Sequence, residues 1–413
     1  MPEPAKWEAI VKFLRLAGII AALLVAALVH PATAGAIKSK NVKPVADVPY
    51  WGGSHLSFDG NYAYAGNWDG RGEKPKVGGV RIMDLRGTPR QVGFFKCPGD
   101  DVDAQPVKPG LVAVGHHASK CNPPDENEDH DGVYLLDVSN AKRPKMLGSI
   151  NMPMMVAGVA RSAGMVHSIT PYPRKPLVYT NAGGLPSNGL LLTHMIDVSN
   201  PAKPKIVGSF RPPGAPSGCH DFSFHFDKRG KFGICAGFGG TQIWDVSDPL
   251  APQVVSTIYN PLIQFSHYAV ASPDGKILAI NDENITANDC VEQETPTGAV
   301  WFYDISDIKS PKLLSYFSPP RGNTGSPFGS FWFGGGTCTS HDFSWIDNDT
   351  LVVPWYTGGF NVISVKDPSN PEEIAFYQPD GGDMWSAHYY DGRIYTNDAL
   401  LGFSAFEVAG VTD

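Results

Sequence analysis

The sequence predicts an all-β chain folded as a seven-bladed β-propeller with four-stranded blades, the ring closed by an N-terminal strand. Three observations carry this. Gly (45) and Pro (36) are both abundant in 413 residues while charged residues are only 18%, which favours short strands and tight turns over helices. Beyond the N-terminus no window sustains a 3.6-residue apolar period. One strand-like run also recurs roughly every 50 residues, the spacing of stacked supersecondary units.

Residues 1–34 are set apart from the fold. Lys6, Lys12 and Arg15 precede an apolar or small run over 16–29, and Ala32-Thr33-Ala34 offers a small-residue cleavage site. That pattern is a secretory signal peptide, and the apolar run is short for a spanning helix. The expectation is an exported protein with no membrane span after cleavage and a single domain over 35–413. The net charge of −8 and the absence of a basic run exclude nucleic acid as a natural partner.

The repeat is clearest at its third strand, where apolar alternation ends in Asp-Val/Ile-Ser-Asn/Asp and then Pro. It appears as VYLLDVSNAKRP (133–144), HMIDVSNPAKP (194–204), QIWDVSDPLAP (242–252) and WFYDISDIKSP (301–311). VRIMDLRGTP (80–89) is shorter, NVISVKDPSNP (361–371) has Ser364 at the first Asp, and SAFEVAG (404–410) has Glu407 there. A second strand precedes each run, as in YAYAGN or ILAIND, and an outer strand follows most, as in KMLGSI or KIVGSF. The last unit lacks its outer strand, and VKPVADV (42–48) is placed to supply it. Each Asp followed by Ser is expected to close a turn by side-chain-to-backbone bonding. These runs resemble the LVIVD-repeat proteins, exported bacterial and archaeal β-propellers. The resemblance covers nearly all of 35–413 and implies a blade architecture, with Asp137, Asp197, Asp245 and Asp304 as turn formers and no particular chemistry.

The first strand of each unit is opened by a histidine in most cases: His55 (SHLSF), His167 (VHSIT), His220 (HDFSF), His267 (SHYAV), His341 (HDFSW) and His388 (SAHYY). First strands line a propeller's central channel, so six imidazoles are expected to face one another there. Protonated together they would repel, and a bound cation would hold them neutral. An all-nitrogen donor set leans towards Fe or Cu, with His220, His267, His341 and His388 as the leading ligands. The second unit lacks this histidine near 101–103, and His117, ending the antiparallel second strand, is placed to lean over the gap. Asn67, Asn181, Asp282 and Asn397 end second strands at matching positions, suited to accepting a ring N–H. Asp221 and Asp342 follow ring histidines, so strand alternation points them away from the axis.

The loops entering the ring are apolar, with Met154, Met155, Phe265, Phe331, Trp332, Met384 and Trp385, and form the expected pocket for an apolar small molecule. Six cysteines in an exported chain imply disulfides, with neighbours in sequence as the simplest pairing: Cys97–Cys121, Cys219–Cys235 and Cys290–Cys338. No Gly-x-Ser-x-Gly, phosphate loop or HExxH occurs. The functional expectation is a secreted metalloenzyme, an oxidoreductase first and a lyase or isomerase second, by analogy with propeller enzymes that carry metals on their axes. The alternative is a non-catalytic extracellular propeller that binds a protein or cell-wall partner, its histidines structural.

Overall fold

The computed structural model describes residues 35–68, 78–97, 102–119, 130–152, 154–156, 159–161, 166–181, 192–211, 213, 218–237, 239–284, 290, 296, 298–322 and 338–412, with backbone only at 116–119, 130–131, 154–156 and 159–161. The 1–34 segment, Cys121, Phe331 and Trp332 lie outside the described residues, as do the side chains of His117, Met154 and Met155.

Regular structure among the described residues is all strand apart from a 3-10 turn at Tyr356–Gly358. Five antiparallel four-stranded sheets follow in chain order. The first holds Gly53–Asp59, Tyr62–Asn67, Gly79–Asp84 and Arg90–Lys96, and the second Val102–Lys108, Leu111–Ser119, His130–Asp137 and Lys145–Asn151. The third holds Ser168–Pro171, Leu177–Asn181, Thr193–Asp197 and Lys205–Phe210, and the fourth Asp221–Asp227, Gly230–Ala236, Thr241–Asp245 and Gln253–Ile258. The fifth holds Ser266–Ala271, Ile277–Asp282, Val300–Asp304 and Lys312–Phe317.

Met154–Val156 and Val159–Arg161 pair as a two-stranded sheet, and the rest forms one nine-stranded sheet, divided by a parallel pair in which Asp342 lies beside Ser386 and Phe343 beside Ala387. One antiparallel half is Asp342–Trp345, Thr350–Trp355, Gly359–Ser364 and Glu372–Gln378, edged by Ile37–Lys38. The other is Met384–Tyr390, Arg393–Asp398 and Gly402–Val408, and it takes Val42–Val48 as its fourth strand, antiparallel to Gly402–Val408.

Each unit runs inner, second, Asp-ended and outer strand, and the inner strands touch in cyclic order, the last against the first. Hydroxyls link inner strands that share no ladder. Ser54 Oγ donates to Val102 O (2.9 Å), Thr170 Oγ1 to Phe222 O (2.8 Å), Ser223 Oγ to Ala269 O (2.6 Å) and Ser386 Oγ back to Ser54 O (2.9 Å). Gly66 lets the first two units approach, because a Cβ there would strike the carbonyl oxygen of Val102. The apolar core lies between neighbouring sheets: Tyr172, Tyr179 and Met195 of the third unit pack with Phe222, Cys235 and Trp244 of the fourth. Burying such side chains is worth roughly 1.5–3 kcal/mol each, so every unit depends on its neighbours.

The strand ends form the expected turns. Asp137, Asp197, Asp245 and Asp304 each accept the backbone N–H of the serine two residues on, at 2.9, 2.8, 2.8 and 2.8 Å. Every pairing of an Asp-ended with an outer strand also carries one register shift, which raises local twist. The disulfides Cys219–Cys235 and Cys290–Cys338 are present, and Cys97 is disulfide-bonded. Disulfides fit an oxidising, extracytoplasmic compartment. No helix among the described residues is long and apolar enough to cross a membrane.

Candidate metal centre

Five of the six histidines close into a belt across the channel. Ring centroids are 4.1 Å apart for His167 and His220, 4.3 Å for His220 and His267, and 4.2 Å for His267 and His341. His55 completes the circle at 6.3 Å from His341 and 5.8 Å from His167. The local cause is that these residues sit at irregular strand starts. The ladder shifts register between Gly53 and Leu56 and between Ser266 and Ala269, and the strands at 221 and 342 begin just after their histidines. Bulges re-aim side chains, and here they turn imidazoles inward.

His388 is not part of this belt. The pairing of Asp342 with Ser386 sets Trp385, not His388, alongside His341, and the two ring centroids are 4.3 Å apart with the planes tilted by 52°. His388 lies further along the channel, its Nε2 3.0 Å from Asp342 Oδ2. The length of the lead-in to the last inner strand decides this, and that length leaves no mark in the motif.

The expected orientation of Asp221 and Asp342 is also corrected, because alternation does not hold through the bent strand starts. Asp221 Oδ2 is 3.3 Å from both His220 Nδ1 and His267 Nδ1. Asp342 Oδ2 accepts from Ser386 Oγ at 2.9 Å and lies 3.6 Å from His55 Nδ1. With Asp103 they form a buried carboxylate layer beneath the belt. Asp103 fills the second unit's position, accepting Ile169 N at 2.8 Å and Gln105 Nε2 at 2.8 Å. Burial would raise Asp221 and Asp342, but the adjacent imidazoles, His220 for one and His388 and His55 for the other, outweigh it and hold both low. Burial dominates for Asp103 and pushes it up to about 6. Burial and neighbouring imidazoles push His267 well below its ordinary value, and burial brings His341 down to about 3. Both rings are therefore neutral at pH 7, the form that ligates metals.

On the opposite side of the belt stands Glu283. Its Oε2 is 3.4 Å from His267 Nε2, its Oε1 3.9 Å from His341 Nε2, and Tyr356 donates its hydroxyl to Oε1 at 2.6 Å. His341 Nδ1 donates to the Trp385 carbonyl at 2.8 Å, which fixes the tautomer and turns the Nε2 lone pair inward. Two groups thus have ligand atoms within 4.8 Å of one another: His167, His220, Asp221 and His267, and separately His267, Glu283 and His341. His267 Nδ1 and His341 Nε2 are buried without hydrogen-bond partners among the described residues. This buried group has the donors to hold a metal ion, and they mix imidazole with carboxylate, unlike the all-nitrogen set expected.

The residues expected to orient the rings bond elsewhere, three of them to backbone and Asn181 to a serine hydroxyl. Asn67 Nδ2 donates to Trp51 O (2.5 Å), Asn397 Nδ2 to Ser54 O (3.1 Å) and Gly66 O (3.0 Å), and Asn181 Nδ2 to Ser168 Oγ (3.0 Å). Asp282 accepts the N–H groups of Gln264, Phe265 and Gly298. They shape the loops that carry the belt. Of the expected pocket, Phe265 packs edge-on to His220 at 4.7 Å, Met384 is buried, and Trp385 joins Trp68 and Tyr356 in an apolar cap over the belt. None of these lines the cavity in the channel. That cavity, about 530 Å³, opens beneath the carboxylate layer and is lined by Phe58, Phe224, Tyr268 and Val270 with Ser57, Gln105 and Thr170. Asp103 and Glu283 were invisible as site residues: one stands where a histidine is missing, the other follows a residue chosen for its strand end.

The LVIVD repeat family model matches residues 187–211, one repeat of the series. No curated protein matches the chain. Among solved structures, the Myceliophteria thermophila Cps50 (Swd1) β-propeller domain is similar at 9% identity and TM-score 0.57, covering 89% of this chain and 100% of that one. The Pseudomonas aeruginosa periplasmic gluconolactonase PpgL is similar at 12% identity and TM-score 0.58, covering 85% and 87%. At such identities the likeness shows the fold alone. The fold is a β-propeller. The chain carries the LVIVD repeat, as its motifs indicated.

Proposed function

We propose that this chain is an exported metal-dependent propeller enzyme, an oxidoreductase that uses iron or copper held by His167, His220, Asp221 and His267. The carrying observation is that buried donor group, its ligand atoms all within 4.8 Å of one another, above a channel cavity. Imidazole suits Fe and Cu, and this group offers three imidazoles with one carboxylate. A bound ion supplies Lewis-acid and one-electron chemistry. The chain's own residues supply the rest. Asp103, with a pKa of about 6, exchanges a proton near neutrality at the cavity wall. Phe58, Phe224 and Val270 pack an apolar body, and Ser57, Gln105 and Thr170 meet its polar groups. The substrate class is a largely apolar small molecule bearing hydroxyl or carbonyl groups.

The architecture belongs to the same proposal. The nine-stranded sheet counts as two blades sharing one parallel contact, which makes seven blades with Val42–Val48 closing the ring in a single domain over 35–413. Residues 1–34 direct export.

A hydrolytic reading has one favouring observation, the carboxyl of Asp103 beside the site, and a gluconolactonase among the similar structures agrees with it. Elemental analysis of untagged protein from its export route tests the proposal. Stoichiometric Fe or Cu, lost in a His220→Ala/His267→Ala variant that still folds, supports it. Zinc turns the reading to hydrolysis. No metal, and none taken up on reconstitution, leaves the non-catalytic binding propeller.

A further inference from the structure

We infer that the site takes two ions, one on each side of His267, which bridges them through its two ring nitrogens. This deepens the metal reading above and rests on it. His267 is 1% exposed, with Nδ1 3.3 Å from Asp221 Oδ2 and Nε2 3.4 Å from Glu283 Oε2. Its nitrogens therefore belong to two donor groups that share no other residue. On one side stand His167, His220 and Asp221, and on the other Glu283 and His341.

The second group is built as a site and not as a chance ion pair. His341 is wholly buried, and its proton is committed through Nδ1 to the Trp385 carbonyl. Its Nε2 lone pair points towards Glu283 and has no hydrogen-bond partner among the described residues. Glu283 is oriented by the Tyr356 hydroxyl at 2.6 Å, the kind of outer contact that fixes a ligating carboxylate. The separations of 3.4 and 3.9 Å are long for hydrogen bonds. They match two donors each about 2.0–2.2 Å from a shared ion, which stand roughly 3–4 Å apart. Bridging removes the ring proton of His267 to solvent, and the resulting imidazolate is held between two cations. The ions suited to both groups are imidazole-favouring divalent transition metals such as Cu(II).

Cu(II) titration of metal-depleted full-length protein tests this, with bound copper counted after gel filtration and followed by electron paramagnetic resonance. Two equivalents are expected, with the signal falling as the second ion binds and the spins couple through the ring. Glu283→Gln should retain one equivalent and an uncoupled signal. Tyr356→Phe, which keeps the cap's packing, should weaken the second equivalent about tenfold or more. One equivalent in the parent protein, unchanged in Glu283→Gln, overturns the inference and leaves the proposed function standing. Two uncoupled equivalents insensitive to both changes also overturn it, placing the second ion elsewhere. No bound copper removes both readings.

Discussion

Two sets of aspartates in this molecule share a residue type and little else. Asp137, Asp197, Asp245 and Asp304 sit at the outer ends of third strands, and each bonds to the serine two residues on. Those bonds hold their carboxyls below the usual range. Asp103, Asp221 and Asp342 lie buried at the axis, and Asp221 and Asp342 find imidazoles contributed in part by other units. A carboxylate that is satisfied within two residues can be repeated along the chain as a motif. One satisfied across the ring depends on partners in other units, distant in sequence, and leaves no local signature.

The largest effect that would sharpen this contrast comes from Asp342→Ala. It removes the charge facing His388 and His55 and the acceptor of Ser386, and should cost roughly 3–5 kcal/mol in urea unfolding. A loss under about 1 kcal/mol would show that the axial layer is no ion-paired network.

The second test uses the sign of the pH dependence. Buried Asp398 accepts N–H bonds from Asp383, Leu400 and Leu401, yet burial dominates and raises its carboxyl to about 6. Its folded pKa is above the unfolded value, so its contribution is full below about pH 4 and lost as pH rises through 6. The total is about 3 kcal/mol at most. The rim aspartates and Asp342 are depressed, so their contributions are present above the ordinary carboxylate pKa and lost as pH falls. Asp398→Asn should flatten the decline in stability between pH 4 and 6, measured by urea unfolding across that window. An unchanged slope would place the titration elsewhere.

The smallest effect belongs to the rim. Asp245→Ala should cost roughly 0.5–1.5 kcal/mol and add to Asp304→Ala within a few tenths, because distant sites are independent. Marked non-additivity between them in thermal melts would mean that the rim turns communicate, which erases the distinction drawn here.

Much of the fold was legible in the sequence. The Asp-Val-Ser runs located third strands, the His-led runs located most inner strands, and 42–48 was marked as the partner of the last unit, where Val42–Val48 now pairs with Gly402–Val408. The clustering of histidines was legible too, because one residue type in one repeated context must meet itself around a closed ring. The site's composition was not. Strand alternation pointed Asp221 and Asp342 outward, since nothing in the chain reveals that strands begin one residue after His220 and His341. Asn67, Asn181, Asp282 and Asn397 had the right positions but other partners, because backbone groups of the neighbouring loops and strands, and for Asn181 the Ser168 hydroxyl, stand within their reach.

By itself, then, the sequence determined the quantities that repetition carries: all-β structure, the unit and its strand order, the Asp turns, and histidines on the inner strands. The tertiary structure alone decided how neighbouring units slide against one another. The pairing of Asp342 with Ser386 brings Trp385 beside His341 and sends His388 down the channel, and it turns a presumed ring of six imidazoles into a belt of five with carboxylates on both sides. The physical reason is that pairing within a blade is set by local alternation and turns. Register between blades is set by side-chain packing and hydroxyl-to-carbonyl bonds over long sequence separations.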